Sequence, residues 1–371
     1  TSTAYTLFHD AEGLWVGTDR GLINRSMDGS WSLWNADNSP LVDQRFGVSI
    51  ITSIFRDADG LWLGFRGGVA HRDLAGAWTV WHTGNSPLPH PEVESVFHDA
   101  DGLWVGTIEG AAHRAPDGMW TVWNQDNTPA MNPDNGGVFH RVDSVFHDAD
   151  GLWLGTLQGL AHRDPEGTWT VYRSPWIRSI SRYDGVLWAG LQGGIGGLAR
   201  LSRNGEWTLV NSENSDFPED DVRGVFQDET GLWIATQQSG VIHRSRAGTW
   251  TTYTPEATGM QSPSIRAIHR SQGPVWVATA GGIGSFAAQP SPCPDLPADL
   301  DADRDCVADA DDICPDAVSV PGLPDEDGDC IADEADLCPD LHVDTPDQDG
   351  DCIADADDVC PALHARLDAD L

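Results

Sequence analysis

The sequence predicts an all-β fold: seven short sheets packed radially as the blades of a propeller, followed by a loop-rich, calcium-stabilised rod. Three observations carry this reading. The stretch Val93 to Thr107, VESVFHDADGLWVGT, returns seven times, with its central tryptophan at Trp15, Trp62, Trp104, Trp153, Trp188, Trp233 and Trp276, at intervals of 47, 42, 49, 35, 45 and 43 residues. A second pair of short apolar segments follows each of the first six copies. From Cys293 onward the repeat stops, and aspartates and cysteines recur on a shorter period.

Each element of the first repeat has a physical reason. Val93 to Thr107 reads as two strands around an Asp/Gly turn, the composition of a β-hairpin. A third segment, Gly110 to Arg114, leads through a turn at Ala115 to Gly118 into Trp120 to Trp123. The equivalents of that last strand begin at Trp31, Trp78, Trp169, Trp207 and Trp250. Strands rich in Val, Trp, Thr and Phe, separated by Gly, Asp and Pro, make four per unit. A four-stranded meander cannot cover both of its own faces, and radial stacking of units of about 40 to 45 residues is the propeller solution. No stretch shows a convincing helical period.

The repeated Trp and Phe are expected to fill the space between blades, and Asp99, Asp101 and Gly102 of HDADG to set turn geometry. The pairs His71-Arg72, His113-Arg114, His162-Arg163 and His243-Arg244 occupy one repeat position. On four different blades they lie too far apart to share a metal, so surface or inter-blade hydrogen bonding is expected of them. The crossovers Asn35 to Pro40, Gly84 to Pro87, Asn124 to Pro129 and Asn211 to Pro218 should emerge on one face of the disc, where loops on a rigid scaffold carry recognition. Turn formation explains their Asn, Ser and Pro content equally well. The longest, Asn124 to Arg141, is the first candidate contact site. One further position, the second residue of each first strand, reads Tyr5, Thr52, Glu94, Asp143, Arg178, Arg223 and Arg266. If these strands are innermost, acids of blades three and four face arginines of blades five to seven near the axis, giving internal ion pairs or an anion site. Blade seven supplies Ile265 to Arg270, Val275 to Thr279 and a weaker strand near Gly282 to Ala287, and lacks a fourth.

The pattern D-x-x-G-x-L-W-x-G-T followed by G-[LV]-x-x-R resembles the two-component-regulator propeller repeat over residues 3 to 288. That resemblance implies seven-bladed units of the kind found in sensor regions of bacterial hybrid kinases and in other surface proteins. It implies little about function, because propellers host many activities.

The chain carries a net charge of −37, and all 21 of its basic residues are arginine. From Pro290 onward 26 acids face only Arg304 and Arg366, a net of −24, which leaves −13 for the first part. So acidic a propeller argues against nucleic acid as a partner. All seven cysteines lie in the tail, at 293, 306, 314, 330, 338, 352 and 360. Such spacing in an Asp-dense segment reads as a disulfide framework and an oxidising, extracellular, cell-surface or periplasmic compartment. Neither a signal peptide nor a transmembrane span is recognisable, and a start at Thr1 suggests a processed chain. The domains expected are residues 1–289 and 290–371.

The tail carries the metal chemistry. Asp325, Asp327, Asp329, Asp333 and Asp336 stand at positions 1, 3, 5, 9 and 12 of a loop, with the carbonyl of Ile331 available at position 7. That is the oxygen spacing of an EF-hand-type calcium loop, with Asp at the twelfth place. Asp301, Asp303, Asp305, Val307, Asp309 and Asp312 repeat it, as do Asp347, Asp349, Asp351, Ile353, Asp355 and Asp358. Asp368 and Asp370 begin a fourth loop. Carboxylate-only sites suit Ca²⁺, whereas Zn²⁺ would want His or Cys.

The pattern D-x-D-x-D-x-x-x-D-x-x-D-x-C-P resembles thrombospondin type 3 repeats over Cys293 to Leu371, with Cys where Gly usually takes position 6. The resemblance implies a calcium-cored rod with little hydrophobic core. Two cysteine pairings fit: 306–314, 330–338 and 352–360, or 293–306, 314–330 and 338–352. The second is the one the resemblance implies. It leaves Cys360 alone, so the native protein is expected to continue beyond Leu371. The expected role is non-enzymatic: a propeller on a calcium-stiffened stalk, meeting a protein or glycan at the cell surface in adhesion or display. The alternatives are a self-associating subunit of an extracellular filament and a periplasmic sensor or ligand-binding propeller.

Overall fold

A computed structural model describes residues 2–287, apart from 44, 129–140, 184, 194–195, 216, 229, 247, 271–272 and 280. The chain divides into two units, Thr1–Ala287 and Ala288–Leu371. The expected calcium ligands, from Asp301 to Asp370, and all seven cysteines lie outside the described residues.

The first unit is a seven-bladed β-propeller. Blade three shows the plan: antiparallel strands Val93–Asp99, Gly102–Thr107, Gly110–Arg114 and Trp120–Trp123, paired in chain order. Six blades have four strands, and blade seven has three among the described residues: Ile265–Arg270, Val275–Thr279 and Gly282–Phe286. The first strands lie innermost, each beside the next around the ring, and that of blade seven meets that of blade one. The second strands are buried along nearly their whole length because they face neighbours on both sides. One helical turn, Pro255–Thr258, interrupts the all-β pattern. Pro sits in its first turn and Gly259 closes it at φ 75°.

Two glycines of the repeat show how backbone geometry serves packing. Gly102 turns the hairpin at φ 120°, where a Cβ would fall 2.2 Å from the carbonyl oxygen of Arg114. Gly106 faces the next blade instead. A Cβ there would sit 2.8 Å from the Val142 carbonyl oxygen and 2.9 Å from Val145 Cγ2. Blades three and four approach this closely because Gly106 holds no side chain there; blades six and seven carry Ala235 and Ala278 at the same place.

The apolar core is a ring of inter-blade layers. One layer joins Trp62 and Val69 of blade two to Val93, Val96, Leu103 and Val105 of blade three. The equivalent layer between blades seven and one joins Ala278 to Ala4, Leu7, Leu14 and Val16. This seam has polar contacts as well: His269 Nε2 lies 3.0 Å from the His9 carbonyl oxygen, and the His9 ring stacks on Trp276 at 5.6 Å. Each buried aliphatic or aromatic side chain contributes about 1.5–3 kcal/mol, so the layers dominate the stability of the ring.

Candidate functional site

The most individual feature of the propeller is built by a defect repeated in every blade. The pairing of first and second strands slips by one residue near the start of each first strand. The residues left over are Tyr5, Thr52, Glu94, Asp143, Arg178, Arg223 and Arg266. A β-bulge frees one residue from the ladder and re-aims its side chain. Seven bulges at one level set seven side chains at one mouth of the axis, the end at which the crossovers enter the inner strands.

The acidic side of this mouth is internally paired. Asp143, only 3% exposed, accepts from Arg141 Nε at 2.8 Å, Arg178 Nη1 at 3.1 Å and Trp176 Nε1 at 2.6 Å. Glu94 Oε1 lies 3.0 Å from Arg141 Nη2. Burial pushes the Glu94 carboxyl above its ordinary value, and the nearby Asp143 adds to this, although Arg141, Arg178 and Arg66 pull it back. Burial opposes the charge on Arg141, but Asp143 and Glu94 together hold its pKa above the ordinary value. Thr52 takes no part: its hydroxyl donates to the Val93 carbonyl of the next blade at 2.5 Å.

The basic side is different. The Arg266 guanidinium lies 5.0 Å from the centroid of the Tyr5 ring. Burial lowers the pKa of Arg223, with Asp221 opposing and the like charges of Arg266 and Arg178 adding to it. Neither Arg223, Arg266 nor Arg66 makes a side-chain hydrogen bond or ion pair among the described residues, and the Nε atoms of Arg66 and Arg266 are buried without an acceptor. Of the two expectations for this position, ion pairing therefore holds for blades three to five and leaves blades six and seven unmatched. Sequence reasoning missed Arg66, Trp176 and Asp221, and named Arg141 only as the end of the candidate loop Asn124 to Arg141. Arg66 carried no signal of its own, since the residues at its place in other blades include Asp19, Ile108, Leu157 and Gln237.

The opposite end of the ring holds a latch between successive blades. Asp57 accepts through Oδ1 from the Asp59 N–H at 2.9 Å and from Trp62 Nε1 at 3.3 Å, while Oδ2 lies 2.5 Å from His98 Nδ1 of the next blade. Asp99, Trp104 and His147 repeat the arrangement, with Asp99 Oδ2 at 2.6 Å from His147 Nδ1. At the same level an arginine replaces the histidine elsewhere: Arg56 on Asp10 and Glu12, Arg182 on Asp148 and Asp150, and Arg270 on Asp228. The HDADG aspartates thus set the turn, as expected, and also bind one blade to the next. Asp57, Asp59 and His98 could together hold a metal ion, as could Asp99, Asp101 and His147. Guanidinium groups fill the same slot in three other blades, so an internal cation position accounts for both clusters.

The remaining candidates are structural. His71, His113 and His162 stack on the central tryptophan of their own blade at 4.0, 3.8 and 3.7 Å, and their Nε2 atoms lie within 3.1 Å of a turn carbonyl in that blade. The arginines beside them make the inter-blade contact: Arg72 over Trp34, Arg114 over Trp81 and Arg163 over Trp123. The crossovers share an asparagine clasp. Asn38 Nδ2 donates to the Leu33 carbonyl while its Oδ1 accepts from the Asn35 N–H, and Asn85, Asn127 and Asn214 do the same. Turn formation therefore explains this motif. Most of the loop Asn124 to Arg141, residues 129–140, lies outside the described residues. A cleft of about 370 Å³ between blades four and five is lined by Asp150, His162 and Arg182 among others. Those three are already engaged with one another.

No protein-family model matches the chain, and no curated protein sequence matches it. Solved structures match its fold. The chain is similar to the extracellular domain of a hybrid two-component system of B. thetaiotaomicron, with TM-score 0.62 and 18% identity over 78% of this chain and 40% of that one. It is similar to the extracellular domain of a one-component system of the same organism, with TM-score 0.60 and 17% identity over 81% of this chain and 40% of that one. A virginiamycin B lyase of Staphylococcus aureus gives TM-score 0.61 and 14% identity over 77% of this chain and 95% of the enzyme. The chain thus spans about two fifths of the length of the two extracellular domains and nearly all of the lyase. At these identities the likeness establishes the seven-bladed fold.

Proposed function

We propose that the propeller is a non-enzymatic recognition module of an extracellular or periplasmic compartment, and that it binds its ligand at the bulged mouth of the axis. The observation that carries this is internal to the repeat. On the inner strands the flanking positions stay apolar or small, for example Val93, Ser95 and Val96 in blade three and Val142, Ser144 and Val145 in blade four. The bulge position runs through Tyr, Thr, Glu, Asp and Arg. A ring of varied, mostly charged side chains at the mouth of a rigid scaffold is what specific recognition requires. The fold likeness to extracellular domains of sensor systems favours a sensing role over the adhesion or display expected from the sequence. Calcium-binding tail repeats remain part of the proposal on sequence spacing alone.

Hydrogen-exchange mapping against a panel of extracellular saccharides, peptides and organic acids tests this. A ligand that protects the first residues of several inner strands supports it. Ligands that bind while protecting only outer strands or the opposite face overturn it. Assembly through blade seven is a second reading, because Gly282–Phe286 has no strand partner on its outer side among the described residues. Filaments in negative-stain images of native material would favour that reading.

A further inference from the structure

We infer that the ligand of the axial mouth is a small hydroxylated carboxylate, held by Arg223 and Arg266 with Arg66 at the rim. This rests on the recognition reading above and sharpens it. The argument starts from charge. Asp143 and Glu94 are matched by Arg141 and Arg178. Arg66, Arg223 and Arg266 make no ion pair among the described residues; Asp221 acts on Arg223 electrostatically with its Oδ1 itself buried without a partner, while Asp43 and Glu92 at the same end are held by Arg45. In a chain of net charge −37, cations would be expected to find acids easily. Here three remain without an ion pair at one mouth among the described residues, two of them with a buried N–H that has no acceptor there.

Like charges held together in partly desolvated surroundings cost stability, and a buried donor without a partner costs more. Bulges placed Arg223 and Arg266 in this arrangement, and the Tyr5 ring beneath Arg266 keeps its guanidinium in place. A planar guanidinium fork matches a carboxylate through two parallel hydrogen bonds. Across the mouth, Glu94 uses Oε1 for Arg141. Its other oxygen suits a ligand hydroxyl. Carboxylate on one side and hydroxyl on the other is the chemistry of a sugar acid or a hydroxy-dicarboxylic acid.

The test is titration calorimetry of the full chain with galacturonate and tartrate, with galactose and sulfate as comparisons. We expect at least one of the two acids to bind with Kd below about 1 mM, more weakly as salt rises. Arg223→Gln and Arg266→Gln should each weaken binding about tenfold or more, corresponding to about 1.4 kcal/mol. Arg223→Lys keeps the charge without the fork and should fall between. The same Gln substitutions should raise the melting temperature of the unliganded protein, which a purely structural arginine would not do. Failure of both acids to bind, equal binding of sulfate, or binding indifferent to both Gln variants overturns the inference. Galactose binding that protects the mouth would overturn the anionic class and leave the recognition reading standing. Acid binding mapped to another face would overturn both.

Discussion

His269 shows how one side chain ties folding to pH. It lies against Phe8 at 4.8 Å and Phe226 at 5.4 Å, at the joint of blades six, seven and one. Burial lowers its pKa from the ordinary 6.5 to about 4. The unfolded chain therefore takes up this proton first. Above pH 7 the residue costs nothing; as pH falls from 6.5 through 4 it destabilises the fold, by up to about 3 kcal/mol. Thermal melts should show stability falling across that window, and His269→Gln should flatten the fall; an unchanged slope in the variant would refute it. The latch yields a second expectation. His98 and His147 stand where Arg56, Arg182 and Arg270 stand in other blades. An imidazole is charged only when protonated, whereas a guanidinium always is. His98→Arg should therefore stabilise the protein by up to about 1 kcal/mol at pH 8. Loss of stability at pH 8 would show that the slot is shaped for an imidazole. Neither role was legible in the sequence, which offered these three histidines no reading of their own. Their partners stand 41 and 48 residues away, and only the ring brings them together.

At the scale of the strand, most of the architecture could be read in advance. The predicted segments Gly110–Arg114, Trp120–Trp123, Ile265–Arg270 and Val275–Thr279 are strands with those bounds. They were legible because each repeat punctuates its strands with Gly, Asp and Pro. The ring of varied residues was visible too, as a position, but its cause was not: a bulge is a property of pairing, and pairing register leaves no composition of its own. Blade approach was equally hidden. Gly106 reads as one more small residue, yet the next blade fills the space a Cβ would need. Gly106→Ala should cost about 1–3 kcal/mol through forced separation of blades three and four. Urea denaturation checks it, and a cost below a few tenths would mean that the blades can part without penalty.

For the whole chain, charge is divided as sharply as structure. The segment from Pro290 onward carries a net of −24, and its aspartates recur at calcium-loop spacing. Self-repulsion on that scale would be relieved by bound cations, which would couple metal binding to folding. Chelating calcium should expose residues 293 to 371 to protease and leave a resistant fragment ending near Ala287, where the first unit ends. Equal cleavage with and without chelator would remove calcium from the account. The ring itself raises a different question, about where it yields first. Successive blades are joined by a covalent crossover, but blades seven and one meet through side-chain packing and a histidine-to-carbonyl contact. That junction behaves as an intramolecular association, held by the high effective concentration that the other six joints impose. It is the clasp of a bracelet. Shorten or loosen any one blade, and the strain should be read out at the clasp, as the first amides of blade one and the last of blade seven exchanging together.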